Sequence, residues 1–199
     1  MTIRQERRAA LRVKLIEISE NKIAADGLQS VTARYLSKEA GCAVGAIYNI
    51  FEDMNELFME VNLSSFQKLA QSVGQAADDL DNATPHEQLN KMGQAYLHHA
   101  LNNTKRWLAM FEVDMSIAGS IPDIYRTNLL SLMEVIATPM RKVYPDRTEE
   151  EISMIAHTAY CSIHGIVLLG VGRRWSISEV DELSKMIHFL VYELGNASD

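Results

Sequence analysis

Four arginines, Arg4, Arg7, Arg8 and Arg12, crowd the first dozen residues of a 199-residue chain. Fixed positive charge at that density suits phosphate oxygens, with a solvated tail as the plainer alternative. Arg34 adds a guanidinium fork that fits a phosphate or the O6/N7 edge of guanine. Tyr48 carries a hydroxyl on an apolar ring, and Asn49 is its polar neighbour. Six histidines raise a different chemistry, metal binding inside a helical bundle. Di-iron bundles need Glu-x-x-His pairs. The residues three before His86, His98, His99, His157, His164 and His188 are Ala83, Ala95, Tyr96, Met154, Cys161 and Lys185. No glycine-rich phosphate loop, nucleophile elbow or zinc-ligand series occurs. No catalytic residue, metal or cofactor is therefore expected, and a helical-bundle metal enzyme is the weaker alternative.

The elements that would position Arg34, Tyr48 and Asn49 lie between Val31 and Phe51. Leu36 and Ala40 sit four apart on one short helix, and Ile47 and Phe51 four apart on a second. Gly41 stands where the first must stop, because glycine enters the left-handed conformation without steric cost. Helices this short cannot stand alone. Leu15, Ile16, Ser19 and Ile23 supply a third at helical spacing, ending at Asp26-Gly27. The two short helices, packed on this third, make a helix-turn-helix, whose second helix, Val44 to Ile50, is of the kind that enters the DNA major groove.

Net charge is −7, an odd balance for a partner of DNA. Residues 1–54 carry eight basic against seven acidic side chains, a net of +1, which leaves −8 for the remainder. Hydrophobic content of 47% can fill a core, and scarce Gly and Pro with no strand signals indicate an all-α chain. The charged N-terminus is followed by no apolar run of signal type. The longest apolar run, Ile163 to Val171, is too short to span a bilayer. Cys42 and Cys161 have no metal spacing and suit a reducing cytosol.

Helix boundaries beyond residue 52 are well marked. Capping boxes open helices at Asp53-Met-Asn-Glu56, Thr84-Pro-His-Glu87, Thr148-Glu-Glu-Glu151 and Ser176-Ile-Ser-Glu179. The resulting helices should run to about Ala77, Asn102, Val171 and Gly195. Others are expected from Arg106 to about Ile117 and from Asp123 to about Val143, with Pro139 kinking or ending the latter. The total is about nine helices.

Residues 9–58 resemble the N-terminal domain of the TetR family of transcriptional regulators. The resemblance rests on the first helix ending at Gly27, on Leu36 and Ala40-Gly41, on Gly45-Ala46-Ile47-Tyr48, on Phe51 and on Glu56-Leu57-Phe58. Farther on, Ala159 to Ile166 is similar to a His-Gly element in many members. The resemblance implies a helix-turn-helix domain over 1–54 and a helical effector-binding and dimerisation domain over 55–199. It implies a cytoplasmic, ligand-responsive DNA-binding regulator, a repressor in the commonest case, working as a homodimer on a two-fold operator.

DNA-binding residues by this resemblance are Arg34, Ala43, Val44, Gly45, Ala46, Tyr48 and Asn49, with the Tyr48 hydroxyl at a phosphate. The chain departs from the family pattern. Ala43 replaces a Ser or Thr cap, Val44 and Ala46 replace polar residues, Ile50 replaces a frequent His, and Met54 replaces a phosphate-binding Lys. The reading face is thus apolar, suited to thymine methyl groups. A TetR-like protein with weakened DNA binding that acts through a protein partner is the alternative.

In the family the middle helices enclose a small-molecule pocket. The bulky and adaptable candidates here are Phe66, Trp107, Met110, Phe111, Met115, Tyr125, Met133, Tyr160 and His164, which suit a partly apolar effector. A dimer interface is expected from Ile155, Ala159, Ile163 and Ile166 on one helix and Val180, Leu183, Ile187, Leu190 and Leu194 on the last. Packing of both stripes within one chain is the alternative.

Overall fold

The computed structural model describes residues 2–78, 83–113, 123–171 and 179–196. Among the described residues there are nine α-helices, one short 3-10 turn and no strand. They fall into two compact units, Met1–Phe66 with Asn103–Tyr125, and Gln67–Asn102 with Arg126–Asp199.

The first unit begins with α1 (Ile3–Asp26), capped by a reciprocal bond pair between Thr2 and Gln5. After the turn Leu28–Ser30 comes α2 (Ala33–Ala40), whose Thr32 hydroxyl accepts from the Tyr35 amide at 3.1 Å. Gly41 ends α2 in the left-handed region, φ 69°, as its position in the sequence requires. Then follow α3 (Val44–Tyr48) and α4 (Met54–Asp78). The expected cap of α4 forms, with the Glu56 amide donating to Asp53 at 2.8 Å. Leu15, Ile23, Leu36, Ile47, Phe51 and Leu57 fill the core.

This unit also takes in α6 (Thr104–Glu112). Ala109 and Val113 complete its core, and the buried Asn62 amide of α4 donates to the Ala109 carbonyl at 3.0 Å. That helix starts at Thr104 instead of Arg106, because the Asn103 carbonyl already accepts from the Trp107 amide at 2.8 Å.

The second unit contains the rest of α4, α5 (Pro85–Asn102), α7 (Asp123–Val143) from Arg126 onward, α8 (Glu149–Val171) and α9 (Val180–Asn196). Capping boxes form at Thr84/Glu87 and Thr148/Glu151, where the sequence places them. The box at Ser176–Glu179 falls partly outside the described residues. Pro139 does not end α7, which continues to Val143. Pro139 is buried, and its chain neighbours Ala137 and Met140 belong to the core. Helices α5, α8 and α9 pack very closely. A Cβ on Gly93 would stand 2.6 Å from Ile187 Cγ2, and one on Gly170 would stand 2.5 Å from Leu183.

As a whole helix, α8 is long and apolar enough to cross a membrane by length and composition, with a mean hydropathy of 1.5 in its best window. The expectation from the Ile163–Val171 run alone missed this. Ile152, Ala156, Ala159, Val167 and Gly170 are buried in the second unit, while most of the apolar window is not buried.

Candidate functional site

Helix α3 is shorter than the Val44–Ile50 span expected from sequence. It ends at Tyr48, and Asn49 and Ile50 form a turn. The Ile50 amide donates to the Ile47 carbonyl at 2.9 Å, an i→i−3 bond that tightens the end of the helix into a turn. From α1, Arg12 donates from Nη1 to the Ile50 carbonyl at 3.1 Å. The same guanidinium lies 4.5 Å from the centre of the Phe51 ring and pairs with Glu56 and Glu60. Arg12 therefore does not face outward toward phosphates, as its place among the N-terminal arginines suggested. It fixes the end of the reading segment to α1 and α4.

Outward-facing groups remain around α3. Arg34, Ala43, Val44, Gly45, Tyr48 and Asn49 are exposed, and Ala46 is half-buried. Tyr48 is 49% exposed, so its ring is not a core residue. Ala43 makes no side-chain cap bond. An open depression joins Arg4, Arg7 and Arg8 of α1 to Ala46, Asn49 and Ile50. Three cations thus stand beside the polar end of the reading segment. Lys14 and Lys22 serve the fold instead: Lys14 donates to the Ala40 carbonyl at 2.9 Å, and Lys22 pairs with Asp26 at 2.7 Å.

The second unit holds a partly open apolar cavity of about 40 Å³. Met92, Tyr96, Leu132, Met140, Tyr160 and Ile163 are among its lining residues. Tyr96 and His164 Nδ1 share a hydrogen bond of 2.8 Å, and the Tyr160 ring stacks on the His164 ring at 5.9 Å. Burial pushes the Tyr160 hydroxyl above its ordinary pKa and the His164 imidazole below its own, which favours the neutral form of each.

The effector candidates read from sequence do not share one place. Tyr160 lines the cavity, and His164 joins it through Tyr96. Met133 is buried on α7 without lining it. Phe66, Trp107, Met110 and Phe111 belong to the first unit, where Phe111 meets both Phe66 and Trp107 edge-on. Met115 and the side chain of Tyr125 lie outside the described residues. Sequence reasoning missed Met92 and Tyr96, although Leu89, Met92, Gly93 and Tyr96 form a three- and four-residue stripe on α5.

The interface candidates divide in the same way. Leu183 and Ile187 are buried inside the second unit, against Gly170 and Gly93. Ala159 is buried, and Ile155, Ile163, Ile166 and Leu190 are half-buried. Val180 is exposed, and the Leu194 side chain lies outside the described residues. The apolar groups left outward on α8 and α9 are Met154, Leu169, Val180, Phe189 and Tyr192, with Met154 and Phe189 each 67% exposed. Among the described residues, no three His, Cys, Asp or Glu side chains gather as a metal site.

No family model matches the chain, and no curated protein matches it. Solved structures do. A Rhodococcus sp. RHA1 protein of unknown function aligns with a TM-score of 0.71 at 21% identity, over 92% of this chain and 94% of that one. The TetR-family transcriptional regulator PfmR from Thermus thermophilus aligns with a TM-score of 0.60 at 15% identity, over 90% and 97%. RolR, in complex with its ligand resorcinol, aligns with a TM-score of 0.64 at 16% identity, over 98% and 97%. The N-terminal helix-turn-helix with the helical remainder, matched over nearly its whole length, gives this chain the fold of the TetR-family transcriptional regulators.

Proposed function

We propose that the protein is a transcriptional regulator that binds double-stranded DNA as a homodimer and responds to a small molecule. The observation that carries this reading is the meeting of Arg4, Arg7 and Arg8 with Ala46 and Asn49 at one exposed depression. Helix α3 enters the major groove, where Asn49 offers hydrogen bonds and Val44 and Ala46 offer methyl contacts to thymine. Arg34, Tyr48 and the three α1 arginines hold phosphates, and Gly45 lets the backbone come close.

One reading helix of five residues selects too few bases for a genome, so two copies act on a two-fold site. The second copy docks on the outward apolar groups of α8 and α9, Phe189 foremost. The effector enters the cavity of the second unit; the neighbour described with resorcinol supports a small-molecule role for this fold. Because α4 has residues in both units, a shift of it would change the spacing of two heads that must match half-sites about 34 Å apart. Repression in the cytoplasm is the expected outcome. Selection of bound fragments from the source genome tests the reading: two-fold sequences should be enriched, and no enrichment at low ionic strength would end it.

A further inference from the structure

We propose a divalent transition-metal site between α5 and α9, held by His86 Nε2, Asn90 Oδ1 and the His188 imidazole. The site goes beyond the regulator reading and does not depend on it. The first observation is a polar seam in the packing of these two helices. Gln94 Nε2 donates to the Ser184 carbonyl at 2.9 Å, and the Ser184 hydroxyl donates to Gln94 Oε1 at 2.7 Å. Farther along, the His86 and Tyr192 rings stack with centres 6.1 Å apart. The helices therefore run antiparallel, and a four-residue step back on α5 matches a four-residue step forward on α9. That register sets Asn90 opposite His188, between the Gln94–Ser184 and His86–Tyr192 pairs.

The second observation is what the seam leaves unpaired. The Gln94–Ser184 pair is reciprocal and complete. Asn90 Oδ1 and His86 Nε2 are buried atoms, and among the described residues neither has a hydrogen-bond partner. They belong to side chains one turn apart on one helix face. With its proton on Nδ1, His86 offers a lone pair from Nε2, as the amide oxygen of Asn90 does. Two buried acceptors side by side call for a shared donor or a cation. A third lone pair is at hand on His188, whose ring lies 4.4 Å from the same Tyr192 ring that His86 meets.

Ligand chemistry selects the ion. Two imidazoles and one amide oxygen suit zinc and its neighbours, whereas calcium and magnesium take oxygen ligands throughout. A search for three His, Cys, Asp or Glu groups passes over this place because its third ligand is an amide. His188 is exposed and Tyr192 is 37% exposed, so an ion enters from the outer side of α9. Bound there, it would clamp α9 to α5 and make that packing respond to metal supply.

The test titrates the full chain, freed of metal by chelator, with zinc chloride in a calorimeter. One Zn²⁺ per chain should bind with a dissociation constant on the order of 1 μM, and melting temperature should rise in excess zinc. His86→Gln and His188→Gln should each weaken binding at least roughly tenfold, while His157→Gln, at an exposed histidine elsewhere on α8, should not. Asn90→Asp should tighten binding roughly tenfold, because a carboxylate replaces the amide; a purely structural role would produce no such gain. Circular dichroism checks that each variant folds, and the other variants carry the test if one does not. No saturable binding would mean a bridging water only and would overturn the site. So would zinc binding that neither histidine variant weakens, or that His157→Gln weakens equally.

Discussion

The Arg12 guanidinium donates to the Ile50 carbonyl at 3.1 Å and thereby ties the first helix to the last turn of the reading segment. Around it stand the Phe51 ring and the carboxylates of Glu56 and Glu60, so one side chain holds α1, the end of α3 and the start of α4 together. An arginine so placed shapes the surface around α3 and, in the proposed DNA complex, does so without touching phosphate.

Arg12→Ala should therefore lower stability by about 1.5 kcal/mol, the low end for hydrogen bonds to charged groups because the side chain is partly exposed. It should weaken DNA binding through disorder at Ile50 while leaving the slope of log affinity against log salt unchanged, since no phosphate contact is lost. Denaturant unfolding and a salt series of fluorescence-anisotropy titrations read the two effects separately.

Met54 begins α4 and packs partly against the first unit's core. Met54→Lys can keep the apolar stem in that contact and carry its ammonium outward. It should raise DNA affinity and steepen the salt slope by about 0.9 for each added phosphate contact. An unchanged slope would show that this helix start does not face the backbone.

Phe189 is 67% exposed on α9, on the face proposed to meet a second copy. Phe189→Glu should shift the protein toward monomer in sedimentation velocity and reduce operator affinity in parallel, with the thermal stability of the monomer little altered because the position is exposed. A variant that stays dimeric would move the interface elsewhere.

His164 and His99 both sit below their ordinary pKa, in each case first because burial disfavours the imidazolium, with Lys68 adding repulsion at His99. As pH falls below about 6.5, the unfolded chain takes up protons that the folded protein resists, so stability declines and then levels off once the folded histidines titrate. Glu134 and Glu149, hydrogen-bonded to Arg141, have pKa values below the usual carboxylate range. Their contribution is lost only at lower pH, as it drops through those depressed values. Melting temperature should fall as pH drops from about 6.5 to about 5.5, and a His99→Gln/His164→Gln double variant should show a flatter profile there.

Much of the helical plan could be read from local chemistry. Thr84 with Glu87, Thr148 with Glu151 and Gly41 each act within a few residues of themselves, so their meaning is written in the sequence nearby. Contacts over long separations were not legible. The Arg12 carboxylates lie 44 and 48 residues away, and nothing local tells a phosphate-seeking arginine from a structural one. Tyr96 meets His164 across 68 residues. The Leu183 and Ile187 stripe is apolar at helical spacing in either case. That it faces Gly170 and Gly93 depends on how closely three helices approach, which periodicity does not encode.

The most direct test concerns Arg4, Arg7 and Arg8. On a fragment selected from the source genome, the Arg4→Ala/Arg7→Ala/Arg8→Ala variant should keep the wild-type melting temperature. Its salt slope should be shallower by up to about 2.7 for each chain bound, three phosphate contacts at about 0.9 each. A variant that binds with the wild-type slope would contradict the assignment of this surface to DNA.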